Sequence, residues 1–245
     1  MKIDVCTTAT YRPELLERTF CSFKENLFLD EHEYRLVINV DPVGSDTKKE
    51  VQVIRVCDKY FRFVKANFPK QPHFGHAFVW CWQNVETPIV FHLEEDWELM
   101  QKVDVNHMLQ MFTKYPTLAS LRLNMFKSVD GVTKNWSHFH KHNGDFFPIP
   151  PEEKGLLGWC GHPGFTTLHF IKTVIPHINP ERNPEKQIKG HNSNFGHLFR
   201  DHEFGVYSPP NSPPVVRDIG RRWMVENGYA KKGKNKAIFT VWRKL

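Results

Sequence analysis

What the chain lacks narrows its function first. It has no Cys-x-x-Cys pair; its five cysteines (Cys6, Cys21, Cys57, Cys81 and Cys160) stand singly and are odd in number. That argues against a disulfide framework or zinc ribbon and for a reducing compartment. No Gly-x-Gly-x-x-Gly follows the first apolar run, and no Gly-x-x-x-x-Gly-Lys-[Ser/Thr] occurs. A dinucleotide-binding turn is therefore disfavoured and a P-loop fails. No apolar run approaches the roughly 20 residues of a membrane span. Met1-Lys2-Ile3-Asp4 does not begin an apolar leader, so the expectation is a soluble, cytoplasmic protein. Internal repeats and low-complexity tracts are missing too.

What is present suits one large α/β domain, or one domain with an appended lobe, in 245 residues. Aromatic residues make up 13%, with 20 Phe and 7 Trp, which fits a wide cleft lined by flat side chains. The formal net charge is +6, which favours phosphates or polyanions through long-range steering. Much of that excess sits on the tail, in Lys231 to Lys236 and Arg243-Lys244.

The first hundred residues alternate between strand and helix patterns. Strands are expected at Ile3 to Thr8, Tyr34 to Val40, Phe61 to Ala66 and Ile89 to Leu93. Helices are expected at Glu14 to Phe28, Lys48 to Tyr60 and His76 to Asn84, the first opened by Pro13. This β-α-β-α-β-α-β order predicts a parallel sheet with crossovers. A helix at Val105 to Tyr115 and a strand at Leu118 to Asn124 follow. Lys127 to Lys154 has no clear period and is expected to be a functional loop. Apolar periodicity returns at Thr166 to Ile178, a helix is expected at Pro184 to Phe199, and Pro-rich Val206 to Arg222 is expected to wrap over the cleft.

The last of the early strands runs into three consecutive carboxylates, Glu94-Glu95-Asp96. Adjacent carboxylates repel unless a cation or donors sit between them. A hard divalent metal carrying phosphate oxygens is a natural partner; a solvated acidic helix start is the plainer alternative. Ligands of open α/β sheets bind beyond the carboxyl ends of the strands. After the first strand, Thr7-Thr8-Ala9-Thr10-Tyr11-Arg12-Pro13 offers hydroxyls, backbone N–H groups and an arginine at a helix start. These suit a nucleotide's base, ribose and phosphate. Asp41 can accept from a base N–H or a ribose hydroxyl.

Together Val5 to Leu16, Asp41 and Leu93-Glu94-Glu95-Asp96 resemble the nucleotide-sugar half of a glycosyltransferase with the A-type fold, family-two-like in character. The resemblance implies a single Rossmann-like mixed sheet with flanking helices and C-terminal acceptor-side elements. Residues 1–100 would bind the nucleotide sugar, 101–225 the acceptor, and 226–245 would form a basic tail. Mn²⁺ or Mg²⁺ and a nucleotide-sugar donor, taken as UDP-linked, are the implied cofactors. Asp96 would ligate the metal and serve catalysis, Glu94 would face the ribose or a metal-bound water, and Glu95 belongs to the same motif. Thr7, Thr8, Arg12 and Asp41 would hold the nucleoside, with Gly75 and His76 near it. Glu185 would be the general base, with Glu181, Asp201 and Glu203 as rivals. Gly155 to Gly161 would lie under the sugar, Trp159 offering a flat face. Asp218 would be a further metal contact, and Arg221 or Arg222 a clamp on the diphosphate.

The reaction so implied is an inverting transfer to an acceptor hydroxyl. The charge and the His-rich stretch Phe126 to Phe147 suit a nucleic-acid acceptor, such as a hydroxymethylated pyrimidine in phage DNA. Polysaccharide, lipopolysaccharide and protein acceptors remain alternatives, and no obligate protein partner is implied. A non-catalytic binding module is the rival class, but it has no need of the acidic cluster. A nucleotidyltransferase would want a Gly-rich, Lys-bearing loop after the first strand. His138, His140, His142, His191 and His197 are read as surface or acceptor-binding residues rather than a zinc site.

Overall fold

The computed structural model describes residues 1–28, 30–43, 47–129, 132–135, 141–188, 195, 201–208, 214–231 and 242–244. The first half runs β1 (Lys2–Thr10), α1 (Pro13–Asn26), β2 (Glu33–Asp41), α2 (Thr47–Tyr60), β3 (Phe63–Asn67), α3 (Phe74–Gln83) and β4 (Ile89–His92). The second half begins with β5 (Trp97–Leu99), α4 (Val105–Lys114), β6 (Leu118–Leu123), β7 (Met125–Val129), β8 (Val132–Asn135) and β9 (Phe147–Pro148). It continues with α5 (Lys154–Leu157), β10 (Gly164–Thr167), α6 (Leu168–Val174), α7 (Pro184–Ile188) and β11 (Glu203–Tyr207). The last elements are β12 (Val216–Asp218), α8 (Gly220–Glu226), β13 (Tyr229–Lys231) and β14 (Trp242–Lys244).

The central sheet has eight strands in the order β3-β2-β1-β4-β10-β6-β11-β9. The β3, β2, β1 and β4 half is parallel, as the alternation predicts. β10 then inserts antiparallel to both β4 and β6, which makes the sheet mixed. A second sheet, β5-β12-β7-β8, is built from strands of three to five residues. The stretch expected to be a loop, Lys127 to Lys154, thus contains the end of β7 together with β8 and β9.

Alternation along the strands sends side chains to two cores. Ile3, Val5 and Phe91 join the cluster beneath α1 and α2, while Cys6 and Val90 join the other with α3 and α6. Helix α1 buries Leu15, Leu16, Thr19, Phe20 and Phe23, a stripe at helical spacing. Phe23 reaches Phe91 with ring centroids 5.7 Å apart, and Phe91 reaches Phe165 at 4.8 Å. β1 pairs with β2 from Lys2↔Glu33 to Thr10↔Asp41, and with β4 up to Cys6↔His92. The carboxyl ends of these strands therefore open on one edge, with Thr10, Asp41 and the acidic stretch there. Among the described residues no helix is long and apolar enough to cross a membrane.

The opposite end of β1 is locked by a buried charge. Asp4, fully buried, accepts from Arg35 Nε at 2.7 Å and from the backbone N–H groups of Glu86 and Thr87 at 2.6 and 3.0 Å. Burial pushes its carboxyl up, but these donors outweigh it and hold the group below its ordinary 3.8. The folded state thus favours the carboxylate. Its contribution is present above the ordinary value and is lost as pH falls through the lower folded value. Asp4→Asn should cost about 2 kcal/mol by urea denaturation at neutral pH, and the gap from wild type should shrink below about pH 4.

Candidate active site

The acidic stretch does not present all of its carboxylates to solvent. Glu95 turns inward, 2% exposed, and accepts from Thr10 Oγ1 at 2.7 Å and Arg12 Nε at 2.8 Å, with Arg12 Nη2 also bonded to it. Arg12 is buried as well, with its guanidinium over the Trp223 ring at 5.4 Å. Arg12 was expected to hold the nucleoside and Glu95 to belong to the donor-binding acidic motif; the structure spends them on each other, because an arginine buried at the start of α1 needs a buried anion. Thr7 is fully buried within β1 and Thr8 is only 9% exposed, and β1 runs two residues past its expected end, to Thr10. Asp96 lies 3.4 Å from Arg12 Nη2 and accepts the backbone N–H of Ile219 through its carbonyl. Its carboxylate leans on Gly220, where a Cβ would collide with it. Glycine there lets α8 start directly against the acidic stretch.

That contact brings the C-terminal segment to the site. Glu94, Trp97, Arg122, Cys160, Gly161, His162, Glu185, Asp218 and Arg221 are among the residues lining one cleft of about 510 Å³. Asp96 is not part of this lining; Glu94 and Asp218 are. Asp218 accepts from Gly220 N–H at 2.9 Å, and burial together with the charge of Asp96 pushes its carboxyl up. Arg221 Nε stands 3.9 Å from Asp218 and is 85% exposed, so it can swing to an anion. Glu185 Oε1 accepts from the backbone N–H of Gly161 at 3.3 Å. Its rivals lie elsewhere: Glu203 accepts from Thr117 on the exterior, and Asp201 is exposed.

Trp159 was expected to face a sugar and does not. It is 1% exposed, packed on Phe78, Trp82 and His92, with Nε1 donating to Thr166 Oγ1 at 3.2 Å. Its neighbours Cys160, Gly161 and His162 face the cleft instead. Arg122, whose position in β6 carried no motif, holds this loop by donating to the carbonyls of Leu157 and Gly158 at 2.5 and 2.7 Å. Burial alone would raise the Cys160 thiol, but Arg122 and His162 bring it down to about 6. His92, buried behind Gly161, is held neutral by burial at about 4. Trp97 lines the cleft, while its Nε1 is buried with no acceptor among the described residues.

Asp41, Gly75 and His76 form a separate group. Asp41 is buried and accepts from Asn39 Nδ2 at 2.9 Å and from the backbone N–H of His73 at 3.0 Å; burial pushes its carboxyl up. His76 Nε2 meets Glu181 Oε1 at 2.7 Å. His142 Nε2 contacts the Ser208 carbonyl at 3.3 Å. His138, His140, His191 and His197 lie outside the described residues.

The buried pair makes a sharp prediction. Arg12→Met or Glu95→Gln alone should lower stability by about 3–5 kcal/mol in chemical denaturation, because each strands the other partner. The double variant Arg12→Met/Glu95→Met should regain most of that loss. Additive losses would show that the pair is not coupled.

The sequence matches no protein-family profile and no curated protein. The structure does have neighbours among solved proteins. It superposes on S. aureus TarS with a TM-score of 0.65 at 13% identity, covering 89% of this chain and 36% of that one. TarS 1–349 in complex with UDP-GlcNAc gives 0.63 at 14% identity, covering 97% of this chain and 60% of that one. GalNAc-T7 with UDP, GalNAc and Mn²⁺ gives 0.59 at 11% identity, over 89% and 43% of the two chains. The mannosyltransferase PcManGT from Pyrobaculum calidifontis, with GDP-Man and Mn²⁺, gives 0.55 at 10% identity, over 92% and 59%. The chain thus spans less than two thirds of each of these neighbours. The eight-stranded mixed sheet with helices on both faces agrees with them, and the chain has the A-type glycosyltransferase fold.

Proposed function

We propose that the chain moves a sugar from a nucleotide-sugar donor to an acceptor hydroxyl, with a divalent cation and with inversion at the anomeric carbon. The observation that carries this reading is the convergence of Glu94, Asp218, Arg221 and Glu185 on one cleft at the strand ends. The carboxylates fit a cation: Asp218 is pushed up by burial and by Asp96, which is the strain a positive ion would relieve. All the oxygens are hard donors, as Mg²⁺ and Mn²⁺ prefer. Asp218 would hold the ion, with Glu94 or Asp96 beside it. Such an ion, when bound, neutralises charge on the departing diphosphate.

The chain's own groups supply the rest. Arg221 can clamp a phosphate oxygen pair through its planar fork. Glu185, with one oxygen held by Gly161 N–H, takes the proton of the acceptor hydroxyl. The acceptor oxygen bonds to the anomeric carbon as the bond to the diphosphate breaks, and attack from the face opposite that bond inverts the centre. Glu185→Gln should lower kcat by about 10²–10⁴-fold with little change in donor KM. Wild type should gain thermal stability from donor in the presence of Mn²⁺, and Asp218→Asn should abolish that gain. Wild-type turnover in Glu185→Gln would remove the base assignment.

For the acceptor, the net charge of +6 supports a polyanion, with a hydroxymethylated pyrimidine flipped from DNA as the reacting base. Binding of such DNA should weaken about 10³-fold or more between 50 and 200 mM salt if six or more phosphates are contacted. Salt-indifferent acceptor binding would rule DNA out.

A further inference from the structure

We propose that His73, His76 and Glu181 form a second metal site, selective for a transition ion such as Zn²⁺ and distinct from the carboxylate cleft. The three residues are 108 positions apart in sequence at the extremes, yet their ligand atoms all lie within 4.8 Å of one another. His76 Nε2 is 2.7 Å from Glu181 Oε1, and His73 Nε2 is 3.4 Å from Glu181 Oε2. The two imidazoles stand 4.2 Å apart between centroids at 81°, edge to face rather than stacked. A tetrahedral zinc with bonds of 2.0–2.1 Å keeps its donors about 3.3 Å apart. Small side-chain shifts therefore convert this arrangement into three ligands, with the fourth position left for water.

The backbone around the cluster is built to hold it. Glu181 sits on the loop before α7, and that loop rests on the first turn of α3. It can do so because residue 75 is glycine, where any Cβ would collide with the Pro180 carbonyl oxygen. The loop is fastened without an ion: Gln187 accepts from Asn179 N–H at 3.0 Å and donates to the Asn179 carbonyl at 2.8 Å. Asn179 Oδ1 in turn accepts the Glu181 N–H at 2.9 Å. His73 is positioned by its own N–H on Asp41 at 3.0 Å. Its Nδ1 accepts from His76 N–H at 3.2 Å, capping α3. Ligation through His73 Nε2 moves the ring proton to Nδ1 and exchanges that capping bond for the metal bond.

Donor chemistry sorts the ions. Two imidazoles favour Zn²⁺, Co²⁺ or Ni²⁺, whereas the all-oxygen cleft favours Mg²⁺ or Mn²⁺. Glu181 lies four residues before Glu185, so an ion here would also fix the segment that carries Glu185.

The full chain, stripped with chelator, is titrated with Zn²⁺ in millimolar Mg²⁺ by calorimetry, with bound zinc counted by elemental analysis. Wild type should take one tight zinc. His76→Ala and Glu181→Gln, both at exposed positions, should each weaken that step at least tenfold while keeping wild-type circular dichroism. Asp218→Asn should retain it. Zinc binding unchanged in both cluster variants, or no tight zinc in wild type, would overturn the proposal and leave a carboxylate held by two histidines. No readout depends on sugar transfer, so this result stands apart from the proposed function.

Discussion

The buried ion pair between Arg12 and Glu95 is the constraint on which the rest of the site depends. One guanidinium, at the start of α1, meets Thr10 at the end of β1, Glu95 after β4, Asp96 beside it and Trp223 of α8. Two charges this deeply buried are tolerable only when each is the other's partner and the remaining donors are used. The pair therefore fixes how the acidic stretch turns. With Glu95 committed inward, Glu94 is left on the cleft wall and Asp96 is left against Gly220.

The same anchor explains how a distant segment completes the site. Trp223 covers Arg12, donates to Glu14 at 3.1 Å and packs with Leu15 and Ile219. Arg217 of β12 bonds Glu98, its register partner in β5. These contacts place Asp218 and Arg221 across from Glu94, although more than a hundred residues separate them in the chain. Burial and the nearby charge of Asp96 push the Asp218 carboxyl up, and under the proposed function that is the crowding a cation would relieve. A shared fold would not by itself establish chemistry; the placement of these carboxylates and one arginine is what supports it.

The parallel half was legible in the sequence because each strand and helix there is long enough to show its period. The helix over Pro13–Asn26 and the strand over Glu33–Asp41 sit within two residues of their expected bounds. The second half was not, since β5, β9 and β12 have three residues or fewer and exist through pairing rather than propensity. Strand β10 is hidden in what reads as one apolar run, Thr166 to Ile178, where its last two residues pass directly into α6. At the site, residue type indicated where charge would gather but not which way it would face. Arg12, Glu95 and Trp159 are chemically suited to ligands and are enclosed by the fold. Arg122 and His162 carried no motif, and only the packing of β6 against the Gly158 loop reveals them.

The most direct measurement is anomalous diffraction from a crystal of the chain grown with Mn²⁺ and a uridine diphosphate. A manganese peak within about 2.2 Å of an Asp218 oxygen, touching diphosphate oxygens and shared with Glu94 or Asp96, is the result expected. A diphosphate bound away from Asp218, or manganese found only outside the cleft, would contradict the central claim that these carboxylates hold the cation that holds the donor.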